Sequence, residues 1–275
     1  MEKAFFFGKD AHKLFAISHI PPNNINGCKR GIVFCHPYGE EKQMSYRVFV
    51  RFARELCNRG FFVLRFDSRG YGDSQGDFED ATIETQICDT IKAVDYAKKY
   101  MYVDKVSLLG FRLGATVAAL TAEQDDRIED LLLWSPIIKG QDFLSEIFRK
   151  MMFAAVARNN GSVSKEQIME ELKTTGRIEV EGHYFTHQIY EQLLKIDLTS
   201  QVANFRKSVF IGMTNGNPKL SAPCETLARA YQNIGAASEF KMIDEKDFWD
   251  KQSLFWWTYP LQLFKETLGW LRAES

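Results

Sequence analysis

The 275-residue chain has no run of about 18 apolar residues, the length that a bilayer-crossing helix needs, so no transmembrane segment is expected. It has no excess of either charge: 35 Lys and Arg stand against 36 Asp and Glu, a formal net charge of -1 at pH 7. No global field would draw such a chain onto nucleic acid or an anionic membrane, which leaves small molecules or proteins as the expected partners. The five cysteines, Cys28, Cys35, Cys57, Cys88 and Cys224, are odd in number and form no CxxC pair, which argues against a disulfide framework and a zinc site. Residues 1–8 lack the basic region, apolar core and small-residue cleavage site of a secretory signal, and a cytoplasmic protein is expected. No cofactor motif stands out, and no internal repeat or low-complexity segment occurs.

What is present is an alternation. Apolar, β-branched runs at residues 31–35, 61–66, 105–109, 131–134, 208–212 and 239–243 read as strands. Between most of them lie helix-length segments such as 44–58, with Met44, Val48, Phe49, Phe52 and Leu56 on one face, and 82–100, with Ile83, Ile87, Ile91 and Val94. Short continuous apolar strands separated by amphipathic helices predict a doubly wound, mostly parallel α/β sheet covered on both faces. Residues 4–7 and 13–20, split by Gly8-Lys9-Asp10-Ala11, predict an N-terminal hairpin. The alternation breaks over residues 139–200, read as a helical lid inserted into a core domain formed by 1–138 and 201–275. Its helix at 143–157 carries Phe143, Leu144, Ile147, Phe148, Met151, Met152 and Phe153, a stripe that packs onto the sheet or lines an acyl-chain site.

Ligands of open parallel sheets bind outside the carboxyl ends of the strands, so the loops after each strand carry the chemistry. Gly110-Phe111-Arg112-Leu113-Gly114-Ala115 follows the strand at 105–109 and runs into a helix. That is the layout of a nucleophile elbow, with Arg112 at its apex and Leu113 supplying an amide at the helix start. His36-Pro37-Tyr38-Gly39-Glu40-Glu41 follows the first core strand, where an oxyanion-hole amide would arise. Asp67-Ser68-Arg69-Gly70-Tyr71-Gly72-Asp73-Ser74 follows the second.

These three motifs, in this order, resemble the α/β-hydrolase superfamily near its serine-aminopeptidase-like and acyl-esterase branches, over nearly the whole chain. The run Gly72-Asp73-Ser74-Gln75-Gly76-Asp77-Phe78, the elbow and a late Phe248-Trp249 more narrowly resemble the exosortase A system-associated hydrolases of bacterial exopolysaccharide clusters. The resemblance implies a serine at position 112, an acid in the loop 213–218 and a histidine in the loop 244–250. The chain has Arg112, no aspartate in the first loop and no histidine beyond His187. A guanidinium keeps its proton and has no lone pair to attack with, so a degenerate, non-hydrolytic protein is expected.

A charge at a semi-buried elbow needs a partner. Either Arg112 clamps an anionic, acyl or glycan-related ligand, or it forms an internal salt bridge with Glu40 or Glu41, with Asp67 and Asp73 behind them. A protein partner on the lid is the further alternative. Tyr38, Gly39, Glu40, Glu41, Arg112, Leu113, Phe248 and Trp249 are the candidate ligand-binding residues. Should a hydrolytic activity exist, Cys35, His36 and Ser135 are the alternative catalytic groups; Ser68 and Ser74 sit on no elbow. His36 is expected to order its loop and Cys35 to be a buried strand-end thiol. His183 and His187, four apart, would place two imidazoles on one helix face, but with no third ligand nearby they are expected to be ordinary lid histidines and no metal site is assigned. The late aromatics Phe248-Trp249, Phe255-Trp256-Trp257 and Tyr259 are expected to pack under the last helix.

Overall fold

The computed structural model describes residues 1–9, 12–22, 28–157, 163–214, 218–249 and 259–273. Among the described residues ten strands form; eight of them, with the helices between, follow the runs read above, and two make a separate hairpin within 139–200. An eight-stranded sheet has the order β1 (Glu2–Phe7), β2 (Leu14–His19), β4 (Phe62–Phe66), β3 (Arg30–Cys35), β5 (Lys105–Phe111), β6 (Ile128–Trp134), β9 (Ser208–Met213) and β10 (Ala237–Met242). β1 and β2 form the expected antiparallel hairpin, β2 runs antiparallel to β4, and every later pairing is parallel.

The parallel strands read as unbroken apolar runs because both faces are covered. Successive side chains alternate between two cores. Ile32, Phe34, Leu109, Leu132, Trp134 and Phe210 meet helices α1 (Glu40–Asn58) and α9 (Leu261–Ala273), while Val33, Cys35, Leu108, Leu131, Leu133 and Ile211 face α2 (Ile83–Tyr100), α3 (Leu113–Ala122) and α8 (Pro218–Asn233). Trp134 is fully buried against Phe52 and Phe264, and its indole N–H donates to Thr267 Oγ1 at 3.0 Å.

Helix α1 begins at Glu40 rather than near Met44, with Gly39 at φ 56° ahead of it. Glu40 and Glu41 are therefore not loop residues but the first turn of a 19-residue helix, where carboxylates face the positive end of the helix dipole. This difference moves a carboxylate onto a fixed scaffold beside the elbow.

The segment read as a lid leaves the sheet at Ile138 and returns at Leu198, whose amide donates to the Ile138 carbonyl at 2.9 Å. It contains α4 (Gly140–Ala157), α5 (Lys165–Thr175), an antiparallel hairpin of β7 (Arg177–Val180) and β8 (His183–Thr186), α6 (His187–Leu194) and α7 (Leu198–Gln201). Phe143, Leu144, Ile147 and Phe148 of α4 are buried in the sheet-side core, while Phe153 is exposed. The hairpin corrects the reading of His183 and His187 as sharing a helix face: His183 lies on β8, stacked on Phe78 with ring centroids 4.5 Å apart, and His187 opens α6. Among the described residues no cluster of His, Cys, Asp and Glu could hold a metal ion, and no helix is long and apolar enough to cross a membrane.

Candidate functional site

The carboxyl ends of β3, β5, β6 and β9 lie side by side, with Cys35 opposite Gly110, Phe111 opposite Trp134, and Trp134 opposite Gly212. β5 turns into α3 through Arg112, which adopts φ 53° and ψ -123°, a backbone region that non-glycine residues occupy only when the surroundings enforce it. The enforcement is close packing. A Cβ on Gly110 would stand 2.4 Å from Ala115 Cα, and one on Gly114 would stand 2.3 Å from the Cys35 carbonyl oxygen, so the two elbow glycines are required by helix–strand approach.

The Arg112 side chain is not left open to solvent. Its Nε and Nη2 each donate to Glu41 Oε1 at 3.3 Å, and Nη2 also donates to Glu146 Oε2 of α4. Its guanidinium lies over the Trp249 ring, 5.6 Å from the centroid. Burial opposes the charge of Arg112, but the two carboxylates outweigh it and raise its hold on the proton above the ordinary value. Glu41 shows the opposite balance: burial raises its pKa against the pull of Arg112 and Lys150, and its Oε2 is buried without a hydrogen-bond partner.

Of the acidic candidates read from the sequence, Glu41 alone meets Arg112 in a described ion pair. Glu40 lines a small cavity of about 30 Å³ beneath α4 with Glu41 and His183. Asp67 pairs with Lys42 at 2.8 Å, and its Oδ2 accepts from the Asp73 amide. Glu146 is not among the acids that the sequence reading names. Asp142 and Glu146 stand one turn apart on α4, a spacing that signals a shared face, but nothing local says that this face meets the elbow.

A cleft of about 500 Å³ opens beside Arg112, walled by Ser135, Ile138, Met213, Thr214, Asp247 and Trp249. Thr214 follows β9 and Asp247 follows β10, and the Thr214 hydroxyl donates to Asp247 Oδ1 at 3.0 Å. The two loops where the resemblance implies an acid and a histidine thus meet through a neutral hydroxyl and a carboxylate. Asn215, Gly216 and Asn217 lie outside the described residues, as do Phe255, Trp256 and Trp257. Phe248 and Trp249 pack against Phe111, with ring centroids 4.8 and 5.0 Å away. Leu113 opens α3, where the first helical amides have no partner within the helix. Tyr38 is buried among Tyr71, Phe78, Phe143 and Phe185, and the Gly39 amide is taken by the Tyr71 hydroxyl at 3.2 Å.

The alternative catalytic residues do not converge. Cys35 is buried beside Thr90, and burial pushes its thiol up to about 12, so no thiolate is available. His36 uses both ring nitrogens: Nδ1 lies 2.9 Å from the Pro37 carbonyl, and Nε2 accepts from the Ser68 amide at 3.1 Å. Burial lowers its pKa to about 4. Ser135 lies in the Arg112 cleft with φ 43°, its amide donating to Gly212, whereas His36 borders a different cavity with Lys42 and Asp67.

A family model described as serine aminopeptidase, S33 matches residues 28–192, more than half of the chain. The chain belongs to the serine aminopeptidase S33 family. Among the curated relatives, the uncharacterized protein YcjY of Escherichia coli (strain K12) is 29% identical over 136 residues, covering 47% of this chain and 43% of the relative. The AB hydrolase superfamily protein YisY of Bacillus subtilis (strain 168) is 32% identical over 92 residues, covering 34% and 31%. The S33 chain therefore spans less than half the length of these curated relatives. Over the whole fold it resembles Est1E from Butyrivibrio proteoclasticus, solved with ferulic acid bound, at TM-score 0.67 and 21% identity over 97% of this chain and 98% of that one. The Pyrococcus furiosus esterase Pf2001 gives TM-score 0.66 and 17% identity over 99% and 91%. These likenesses establish the α/β-hydrolase fold for the S33 chain.

Proposed function

We propose that this S33-family protein has lost the serine mechanism and acts as a binding protein, holding a small molecule in the cleft beside Arg112 under the 139–200 lid. The observation that carries the reading is the apex of the elbow: a guanidinium paired with Glu41 and Glu146 occupies the place of a nucleophile, and it can neither attack nor take a proton. Thr214 and Asp247 leave the cleft without an imidazole to act as base. Enzymes stripped of their triad can retain roughly 10³- to 10⁴-fold over water through binding and oxyanion stabilisation alone, but here no group converges on a nucleophile.

The double pairing of Arg112 favours the internal salt bridge over the anion clamp, because an incoming anion would have to displace Glu146 and face Asp142 and Asp247 across the cleft. The resemblance of the Gly72–Phe78 run to exosortase A system-associated hydrolases supports a ligand from glycan or exopolysaccharide assembly. A fluorophosphonate probe tests the loss of mechanism. Neither the natural protein nor Arg112→Ser is expected to label above a denatured control, the latter because a serine there still lacks a base. Stoichiometric labelling of the natural protein would overturn the reading and, once mapped, name the nucleophile.

A further inference from the structure

We propose that the cavity lined by α1 and the Asp67–Asp73 turn binds a small aromatic or short-chain carboxylate, with Arg65 as its anchor. The cavity holds about 220 Å³, room for about seven water-sized groups. Phe15, Ile17, Phe34, Phe49 and Phe66 supply apolar walls, and Arg65 and Lys42 supply donors.

The case turns on Arg65. Its residue is 8% exposed, and a buried guanidinium is normally matched by a carboxylate, since an isolated buried charge costs several kcal/mol. Among the described residues no acid forms an ion pair with it. Its Nε donates instead to the neutral acceptor His19 Nε2 at 3.0 Å, whose Nδ1 lies 3.5 Å from Glu2 Oε1, its guanidinium lies over the Tyr46 ring at 5.6 Å, and Tyr46, Glu2 and Asp67 support its charge without meeting it in an ion pair. The acids nearby are committed elsewhere. Glu2 is held by Arg54 through two hydrogen bonds at 2.6 and 3.2 Å, Asp67 is paired with Lys42, and Asp73 stands exposed at the rim. Each guanidinium has five N–H donors arranged to match a planar carboxylate, and His19 and Tyr46 engage only part of the fork. An anion with a flat or short hydrocarbon body is the ligand that supplies a direct counter-charge and covers the phenylalanine walls. This site shares no wall with the elbow cleft and does not depend on what the elbow binds.

Benzoate and its neutral analogue benzyl alcohol distinguish the cases by titration calorimetry of the full chain. Benzoate is expected to bind at least about tenfold more tightly than benzyl alcohol. Arg65→Met should abolish that preference, and Ile17→Trp, which fills the cavity and leaves the cation in place, should abolish binding of both. Equal affinity for acid and alcohol, absence of benzoate binding to the natural protein, or a benzoate preference that survives Arg65→Met would each overturn the proposal. Circular dichroism of each variant separates lost binding from lost folding, and Arg65→Lys, which keeps the charge and loses the fork, is expected to retain part of the preference.

Discussion

Arg112→Met is expected to lower the free energy of unfolding at pH 7.5 by about 3–5 kcal/mol, the usual effect of removing one partner from a buried ion pair. Methionine keeps the Cβ and most of the length of the stem, so the φ of 53° is equally strained before and after, and the loss reports the charge. The charge left behind is that of Glu41, whose Oε2 already lacks a partner; Glu146, with a third of its side chain exposed, can turn to water. A second substitution, Glu41→Gln, is therefore expected to recover most of the loss, giving a large coupling in a double-mutant cycle, whereas Glu146→Gln in the same background should recover little. Urea unfolding of the natural protein, Arg112→Met, Glu41→Gln and the two double variants decides it. A neutral Arg112→Met, or equal rescue by both glutamines, would mean that Glu41 is not the charge that Arg112 holds in the core.

The protein is also expected to lose stability steeply in mild acid. Burial lowers the pKa of His36 to about 4, and that of His19 to about 4 with Arg65 acting in the same direction. The unfolded chain binds these protons near pH 6.5 and the folded one does not, so nothing is lost above that value, and stability falls as the pH drops from about 6.5 to about 4. For His36, which is almost wholly buried, the full loss amounts to about 3 kcal/mol, with His19 adding in the same direction. Urea midpoints at pH 7.5, 6 and 5 measure the slope. His36→Gln is expected to be less stable than the natural protein at pH 7.5, having lost the bonds to Pro37 and Ser68, yet to fall less between pH 7.5 and 5. An unchanged slope in that variant would place the acid sensitivity elsewhere.

The sheet was legible because its signal is local. Unbroken apolar runs such as residues 131–134, too short for a helix and set between helical segments, read as strands buried on both faces, and Gly110 and Gly114 at their spacing around Arg112 mark a turn in which backbone meets backbone. The start of α1 was not, since Glu40 and Glu41 belong to no apolar periodicity and only the dipole of a helix already formed favours them there. The second strand of the lid hairpin, His183–Thr186, was not legible, because it has four residues of which only Phe185 is buried, too short a pattern to mark a strand.

The site was half legible for the same reason. Arg112 and its need for an acid follow from sequence, and Glu41 was among the acids named. Glu146 reaches the elbow from 34 residues away in the chain, across an inserted segment whose docking no periodicity encodes. The Thr214–Asp247 bond and the buried Arg65 belong to the same class: each depends on which loops and strands become neighbours, as when β2 pairs with β4 and sets Arg65 opposite Ile17.

The central claim is that the elbow of this S33-family chain is a structural ion pair and not a catalytic centre. Hydrolysis of p-nitrophenyl acetate, butyrate and octanoate by the natural protein, Arg112→Ser and Arg112→Ala tests it most directly. The account predicts no turnover above the buffer rate in any of the three. Turnover by the natural protein that survives Arg112→Ala would contradict it and require a nucleophile elsewhere in the cleft, with Ser135 the first to replace.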